Sequence, residues 1–317
     1  MDNGNDVLVR EVGLRDGLQM VSTFVPTEAK LAWIRAELAA GVGEIEVTSF
    51  VPPKLIPQFA DAEQVAVEAM KLPGLTVMTL APNLRGAERG FALGVHKVDY
   101  VVSVSRTHNL KNVRREREAS LEDFKRIVQA RDAAGLKART QLAAGLSTAL
   151  GCSYEGRIEV DEVRQCAAFL AEAGADEIMV ADTVGYADPK QVREVFRAVL
   201  AETGDIPVAA HFHDTRGTGL ANVSAALDCG IRRFDASLGG LGGCPYAPGA
   251  SGNIVMEDLC FMLDSMGLRT GVDLGRLLEV RRIPAEHLGE STLTGALARA
   301  GLPRHYRTAA ERAAAVH

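Results

Sequence analysis

Two histidines, His211 and His213, stand two residues apart in the stretch HFHDTRGTGL, with Asp214 directly behind them. Along a β-strand, residues i and i+2 point to one face, so the two imidazoles aim together while Phe212 faces the other way. On an interior face such a pair can share one cation; strand histidines can equally be hydrogen-bonded polar residues, and two imidazoles do not complete a site. The missing ligands must come from other strand ends, where Asp16 in GLRDGLQ and Asn253 behind a glycine-rich loop are the best candidates. One carboxylate, one amide oxygen and two imidazoles suit a divalent ion such as Mg2+ or Mn2+, with zinc as the runner-up. Asp214 alternates away from the histidine face and reads as a helix N-cap ahead of TRGTGLAN.

The glycine-rich loop, GGLGGCPYAPGASGN at 239–253, holds six glycines in fifteen residues and a cysteine, Cys244. Its length and composition suit a mobile lid that places Cys244 over a bound substrate, where a thiol near a metal and Arg15 could transfer a proton. The other cysteines, Cys152, Cys166, Cys229 and Cys260, sit in or beside segments that read as helical, and inert packing is expected of them.

These residues need elements to hold them. Short β-branched or apolar runs at 7–12, 44–48, 75–80, 98–104, 138–144, 177–182, 207–213 and 233–237 recur about every 30 residues, the length of one strand–helix unit. Helices are predicted between them, over 27–41, 119–135, 160–174 and 188–202. Ser120 is the expected N-cap of the second, and Gly41, Gly135, Gly174 and Gly230 fall where a left-handed residue must end a helix. Eight alternating units predict an α/β fold, a (β/α)8 TIM barrel over 1–267, with 268–317 as a C-terminal helical extension. No GxGxxG follows the first strand, as a dinucleotide-binding sheet would prefer. In a barrel the site forms at the C-terminal strand ends. There stand Arg15, Asp16 and Gln19 after the first strand, Glu46 in the second with Thr48 and Ser49, Asn83 after the third, Asp182 and Thr183 at the sixth, and the histidines at the seventh. Ser49, Asn83, Thr183, Gln19 and Arg15 are the candidates for substrate contact.

The chain has 317 residues and a formal net charge of −6, so no global attraction to nucleic acid or anionic membrane is expected. No apolar run approaches the ~20 residues of a membrane span, and the opening MDNGNDVLVREVG does not resemble a signal peptide. Five cysteines without CxxC spacing fit a reduced, cytoplasmic setting better than a disulfide framework. Lys54, Arg85, Lys111 and Arg114 near strand ends are either phosphate contacts or solvated surface charges.

Taken together, VGLRDGLQ (12–19), EIEVTSFVPPKLIPQFAD (44–61), LGCSYEG (150–156), ADTVG (181–185), HFHDTRG (211–217) and GLGGCPYAPGASGN (240–253) resemble the 3-hydroxy-3-methylglutaryl-CoA lyases, in family order through about residue 275. The resemblance implies cleavage of a 3-hydroxy-3-methylglutaryl thioester to acetyl-CoA and acetoacetate by an acyl-CoA-binding homodimer. It implies Asp16, His211, His213 and Asn253 as cation ligands, Arg15 as stabiliser of the enolate oxygen, Cys244 in proton transfer, and Glu46 and Asp182 as polar residues lining the site. The chain departs from the family pattern at Leu14 (usually Pro), at Met20-Val21 (usually Asn-Glu), at Ser153 (often Pro) and at Arg216 in Thr-Arg-Gly-Thr (often Thr-Tyr-Gly-Gln). Those positions leave open the same chemistry on another 3-hydroxyacyl-CoA, such as citramalyl-CoA or a glutaryl-CoA with a longer 3-alkyl group. An acyl-CoA condensing synthase and a non-catalytic binding barrel compete less well; the cysteine-bearing loop argues against the first and the whole ligand set against the second.

Overall fold

The computed structural model describes residues 4–243 and 252–314. Eight strands, β1 Leu8–Glu11, β2 Glu44–Ser49, β3 Thr76–Leu80, β4 Lys97–Ser103, β5 Gln141–Ser147, β6 Glu177–Asp182, β7 Val208–Phe212 and β8 Arg233–Ala236, pair in parallel in chain order. β8 pairs back on β1 and closes the barrel expected from the sequence. Around it run α1 Thr27–Ala39, α2 Ala62–Ala69, α3 Leu84–Leu93, α4 Arg106–Val113, α5 Arg117–Ala133, α6 Val160–Ala173, α7 Pro189–Thr203, α8 Gly219–Asp228 and α9 Met256–Ser265. Each strand turns one face to the helices and the other inward. On β4, Tyr100 meets Phe124 of α5 at 5.8 Å between ring centroids, while Lys97 reaches across the interior to Glu44 and Glu177.

Two local expectations need correction. The fifth strand begins at Gln141 rather than 138, because Arg139 and Thr140 both donate their N–H to Leu136 O in a turn that follows Gly135. α5 begins at Arg117 with Glu116 at the N-cap, so Ser120 lies inside the first turn. Its hydroxyl accepts from Asn109 Nδ2 at 2.9 Å and its carbonyl from the Tyr100 hydroxyl at 3.0 Å. Gly41, Gly135, Gly174 and Gly230 do have positive φ, at 96°, 68°, 101° and 92°. Beyond the barrel, α10 Leu274–Val280 and α11 Arg282–Leu288 pack on α1, and the short α12 Ala296–Ala300 packs on α9. A last helix, α13 Ala309–Ala314, follows.

Deep in the barrel, ion pairs take the place of the usual aliphatic layers. Arg10 Nη1 lies 3.0 Å from Glu44 and 2.7 Å from Glu177, and its Nε donates to Asp235 at 2.6 Å. Lys97 joins Glu44 at 2.6 Å and Glu177 at 3.2 Å, and Arg233 joins Glu177 at 2.9 Å. Buried charges are tolerated only when each is paired, and here every carboxylate of the cluster meets a cation. The cluster fixes Asp235 directly beneath His211, which is what matters for the site above it.

Candidate metal centre

The first strand ends in a wide turn, Gly13–Gly17, in which the Asp16 N–H closes on Val12 O at 2.7 Å. Every residue of the turn is buried, and it projects Arg15 and Asp16 into the mouth of the barrel. β7 delivers the histidines as its alternation predicts: Phe212 packs outward on Phe196 of α7 at 6.1 Å, while the His211 and His213 rings face inward with centroids 5.0 Å apart. Ligand atoms of Asp16, His211 and His213 all lie within 4.8 Å of one another. His213 Nε2 stands 3.4 Å from Asp16 Oδ2.

Asn253 arrives by a route that sequence periodicity does not reveal. β7 and β8 pair only at Ala210–Phe234 and His211–Asp235, and beyond that point they separate. The segment from Gly252 to Val255 fills the gap: Asp214 N–H donates to Gly252 O, Ile254 N–H to Phe212 O, and Ser237 N–H to Ile254 O. This sets Asn253 beside His213 with its Nδ2 donating to Asp16 Oδ2 at 2.7 Å and to Leu241 O at 3.0 Å. Gly242, at φ 138°, passes so close that a Cβ there would lie 2.2 Å from Asn253 Nδ2 and 3.0 Å from Asp16 Oδ2.

The polar atoms left over at this place fit a cation. Among the described residues, both ring nitrogens of His213 and the Asn253 Oδ1 are buried without a hydrogen-bond partner. His211 Nδ1 lies 3.1 Å from Asp235 Oδ2, an arrangement that fixes the ring and leaves Nε2 for a ligand. Six carboxylates, Asp16, Glu44, Glu46, Asp99, Glu177 and Asp235, face four permanent cations, Arg10, Arg15, Lys97 and Arg233, in the same interior. With Glu46 protonated, five carboxylates still face the four cations, and the negative charge left over is what a divalent ion would offset. Burial alone would raise Asp16, but the adjacent Arg15 guanidinium and His213 hold it well below the usual carboxylate range, so it is an anion ready to bind metal.

Arg15 donates from Nε to Glu46 Oε2 at 2.6 Å and from Nη1 to Asp16 Oδ1 at 2.8 Å. Gln19 Nε2 donates to the same Asp16 oxygen at 2.7 Å. Burial pushes Glu46 up to about 8 against the pull of Arg15, with Asp99 adding to the rise, and its Oε1 has no partner among the described residues. It is a carboxyl that can hold or release a proton near neutrality. Asp99 on β4, which sequence reasoning did not single out, is fully buried with neither oxygen partnered among the described residues, and burial lifts it to about 6. Asp235, also missed, carries a signal in hindsight: in RFDAS it shares the inward alternation of Arg233 on a strand next to the histidines.

The side chains of the remaining predicted residues are engaged elsewhere, although Asp182 adjoins the cluster through its carbonyl, which accepts the His213 N–H at 3.3 Å. Asp182 turns toward its own loop, accepting from Tyr186 N–H at 2.9 Å and Ala187 N–H at 3.1 Å. Burial raises it to about 6. Thr183 Oγ1 accepts from Thr148 N–H at 2.8 Å, Asn83 caps α3 by accepting from Gly86 N–H at 3.0 Å, and Ser49 Oγ accepts from Val51 N–H at 3.2 Å. Asp214 is not the N-cap itself, which is Thr218, but its carboxylate accepts the Gly219 N–H that opens α8 at 2.7 Å. Arg216 is exposed, stacks on Tyr186 at 4.4 Å, and donates to Val184 O and Gly185 O, so its charge is turned to the neighbouring loop. Cys152 is not beside a helix: it forms a two-bond bridge with Gly156 and donates from Sγ to Ser105 Oγ at 3.1 Å. Cys244 lies outside the described residues.

The HMGL-like family model matches residues 7–283. The chain is 42% identical over 284 residues to a hydroxymethylglutaryl-CoA lyase of Bacillus subtilis, covering 90% of this chain and 94% of that protein. It is 40% identical to the mitochondrial hydroxymethylglutaryl-CoA lyase of Mus musculus, covering 90% of this chain and 87% of the other. Among solved structures, an HMG-CoA lyase from Acinetobacter baumannii in complex with coenzyme A and 3-methylmalate superposes with a TM-score of 0.89 at 40% identity, covering 97% of this chain and 99% of that one.

Proposed function

The chain belongs to the HMGL-like family and is a carbon–carbon lyase of the hydroxymethylglutaryl-CoA lyase group; we propose that it cleaves 3-hydroxy-3-methylglutaryl-CoA to acetyl-CoA and acetoacetate with a Mg2+ or Mn2+ ion held by Asp16, His211, His213 and Asn253. The observation that carries this reading is the meeting of Arg15 with the Asp16–His211–His213 set in one buried cluster. A divalent cation bound there would supply Lewis acidity toward the substrate hydroxyl and lower its pKa.

The reaction removes the proton of the tertiary hydroxyl, breaks the C2–C3 bond, and leaves the electron pair on the thioester as an enolate while C3 becomes a ketone. Arg15 stays charged and offers several donors in a fixed fork, so it suits the enolate oxygen. Glu46 and Asp16 hold that fork in place through Nε and Nη1. Cys244 would deliver or relay the proton that turns the enolate into acetyl-CoA. The coenzyme A in the Acinetobacter relative supports an acyl-CoA substrate for this chain. Kinship supports a homodimer, and cysteine usage supports a cytoplasmic setting.

The test is a screen of the purified protein with Mn2+ over 3-hydroxy-3-methylglutaryl-CoA, citramalyl-CoA and longer 3-alkyl homologues. Fastest cleavage of the first is expected. A rate on another ester that is higher by about tenfold or more in kcat/KM overturns the substrate assignment while keeping the chemistry.

A further inference from the structure

Outside the barrel, between β1, α1 and α9, three glutamates are fully buried: Glu11, Glu37 and Glu257. Glu257 is compensated, since it accepts from Gly239 N–H at 3.0 Å and pairs with Arg281. Among the described residues no lysine or arginine pairs with Glu11 or Glu37. Glu11 instead accepts from two backbone groups, Gly13 N–H at Oε1 and Leu238 N–H at Oε2, the latter at 2.9 Å. Glu37 Oε1 accepts from Trp33 Nε1 at 2.7 Å, and its Oε2 meets no donor among the described residues. The two carboxyls nonetheless lie in hydrogen-bonding contact with each other. Two ionised carboxylates are both acceptors and repel, so this contact is a bond only when one proton sits between them.

We propose that Glu11 and Glu37 share one proton, and that this pair ties the turn carrying Arg15 and Asp16 to the turn leading toward Asn253, with Glu37 as a positioning residue. Gly13 opens the first of those turns and Leu238 opens the second, Leu238–Gly240, so one carboxyl group spans both. The fit leaves no slack: a Cβ on Gly13 would lie 2.5 Å from Glu11 Oε1 and 3.3 Å from the Trp33 ring. Losing the shared proton puts two anions in contact without a cation of their own, and Glu11 can relieve that only by moving, which shifts both turns. The other charged or titratable groups facing the pair are Glu257, neutralised by Arg281, and Cys260 of α9, whose thiol burial pushes far up. Burial pushes Glu11 up to about 8 and Glu37 well above the carboxylate range, so the proton is held at neutrality and leaves on the alkaline side.

Trp33 is the one tryptophan of the chain and its indole N–H is bonded to Glu37, so its emission reads this pair directly. The full-length metal-free protein is titrated from neutrality to about pH 10, followed by tryptophan emission. One transition is expected in the wild type and none in Glu37→Gln, whose amide donates to Glu11 without ionising. In the activity arm, which rests on the lyase reading, the alkaline limb of kcat/KM coincides with that transition and moves up by about one pH unit or more in Glu37→Gln. Flat wild-type emission, or a transition that persists in Glu37→Gln, overturns the shared proton. A limb that stays in place while the emission transition disappears overturns the positioning role. If Glu37→Gln does not fold, Glu37→Leu replaces it; Glu11 then ionises without its partner, so the transition must move from its wild-type pH, and a transition at the unchanged pH overturns the shared proton. Because the emission arm needs neither metal nor substrate, failure of the lyase assignment leaves it intact.

Discussion

Replacing Asp235 by asparagine removes the charge behind His211 while keeping the side-chain shape. In the wild type, Asp235 Oδ2 stands 3.1 Å from His211 Nδ1 and Oδ1 accepts from Arg10 Nε at 2.6 Å. The asparagine oxygen will face Arg10, since guanidinium offers only donors, and its NH2 then faces His211. That NH2 forces Nδ1 to accept and moves the ring proton to Nε2, the nitrogen that a cation needs bare. Loss of such a partner weakens metal binding by about 10–100-fold, or ~1.4–2.7 kcal/mol. The effect on folding is smaller than for an orphaned buried charge, because Arg10 keeps Glu44 and Glu177. A loss of ~1–2 kcal/mol is expected instead of the ~3–5 kcal/mol of an uncompensated break. Mn2+ affinity is measured by electron paramagnetic resonance of the free ion, alongside thermal melts of the metal-free protein. Mn2+ affinity within about twofold of wild type in a folded Asp235→Asn protein refutes the orientation of His211 argued above.

Four further outcomes follow from the same geometry. Arg15→Lys keeps a positive charge but loses the fork that meets Glu46 and Asp16, and kcat should drop by ~100–1,000-fold with little change in KM, as read from steady-state kinetics. Gly242→Ala places a methyl 2.2 Å from Asn253 Nδ2, so Mn2+ affinity should fall at least about tenfold in a titration while the rest of the fold persists. Chelation should abolish activity and lower Tm, and ion restored at about 100 times its Kd should return ~2.7 kcal/mol of stability, measured by calorimetry. Glu11, raised from 4.5 to about 8, binds its proton more tightly in the folded protein than in the unfolded chain; its protonated form favours folding below about 4.5, and that advantage is lost as pH rises to about 8. Glu37→Gln should therefore raise Tm relative to wild type more at pH ~9 than at pH ~6 in melts run at both.

The periodic alternation of strands and helices was enough to foresee the barrel, because each strand–helix unit writes its own local pattern. The left-handed glycines at 41, 135, 174 and 230 and the common face of His211 and His213 are local in the same sense. Motif order was enough to assemble Asp16, the histidines and Asn253 into one candidate set. Other features depend on contacts between distant parts of the chain. Whether Asp182 faces the pocket is decided by which N–H groups its loop offers, and these are Tyr186 and Ala187. Whether Arg216 is a pocket charge is decided by the ring of Tyr186 and the carbonyls of Val184 and Gly185. Asp235 behind His211, Asp99 without a partner, and Glu37 against Glu11 read in sequence as ordinary acidic residues of strands and a helix. Their character comes from burial and from the charge brought next to them by residues as far away as Arg10 from Asp235, a separation of 225 positions. The sequence by itself determined the barrel, its strand ends and the chemical types gathered there. The tertiary structure alone decided which carboxyls are neutralised and which hold a proton, because that depends on desolvation and on distances that local pattern does not encode.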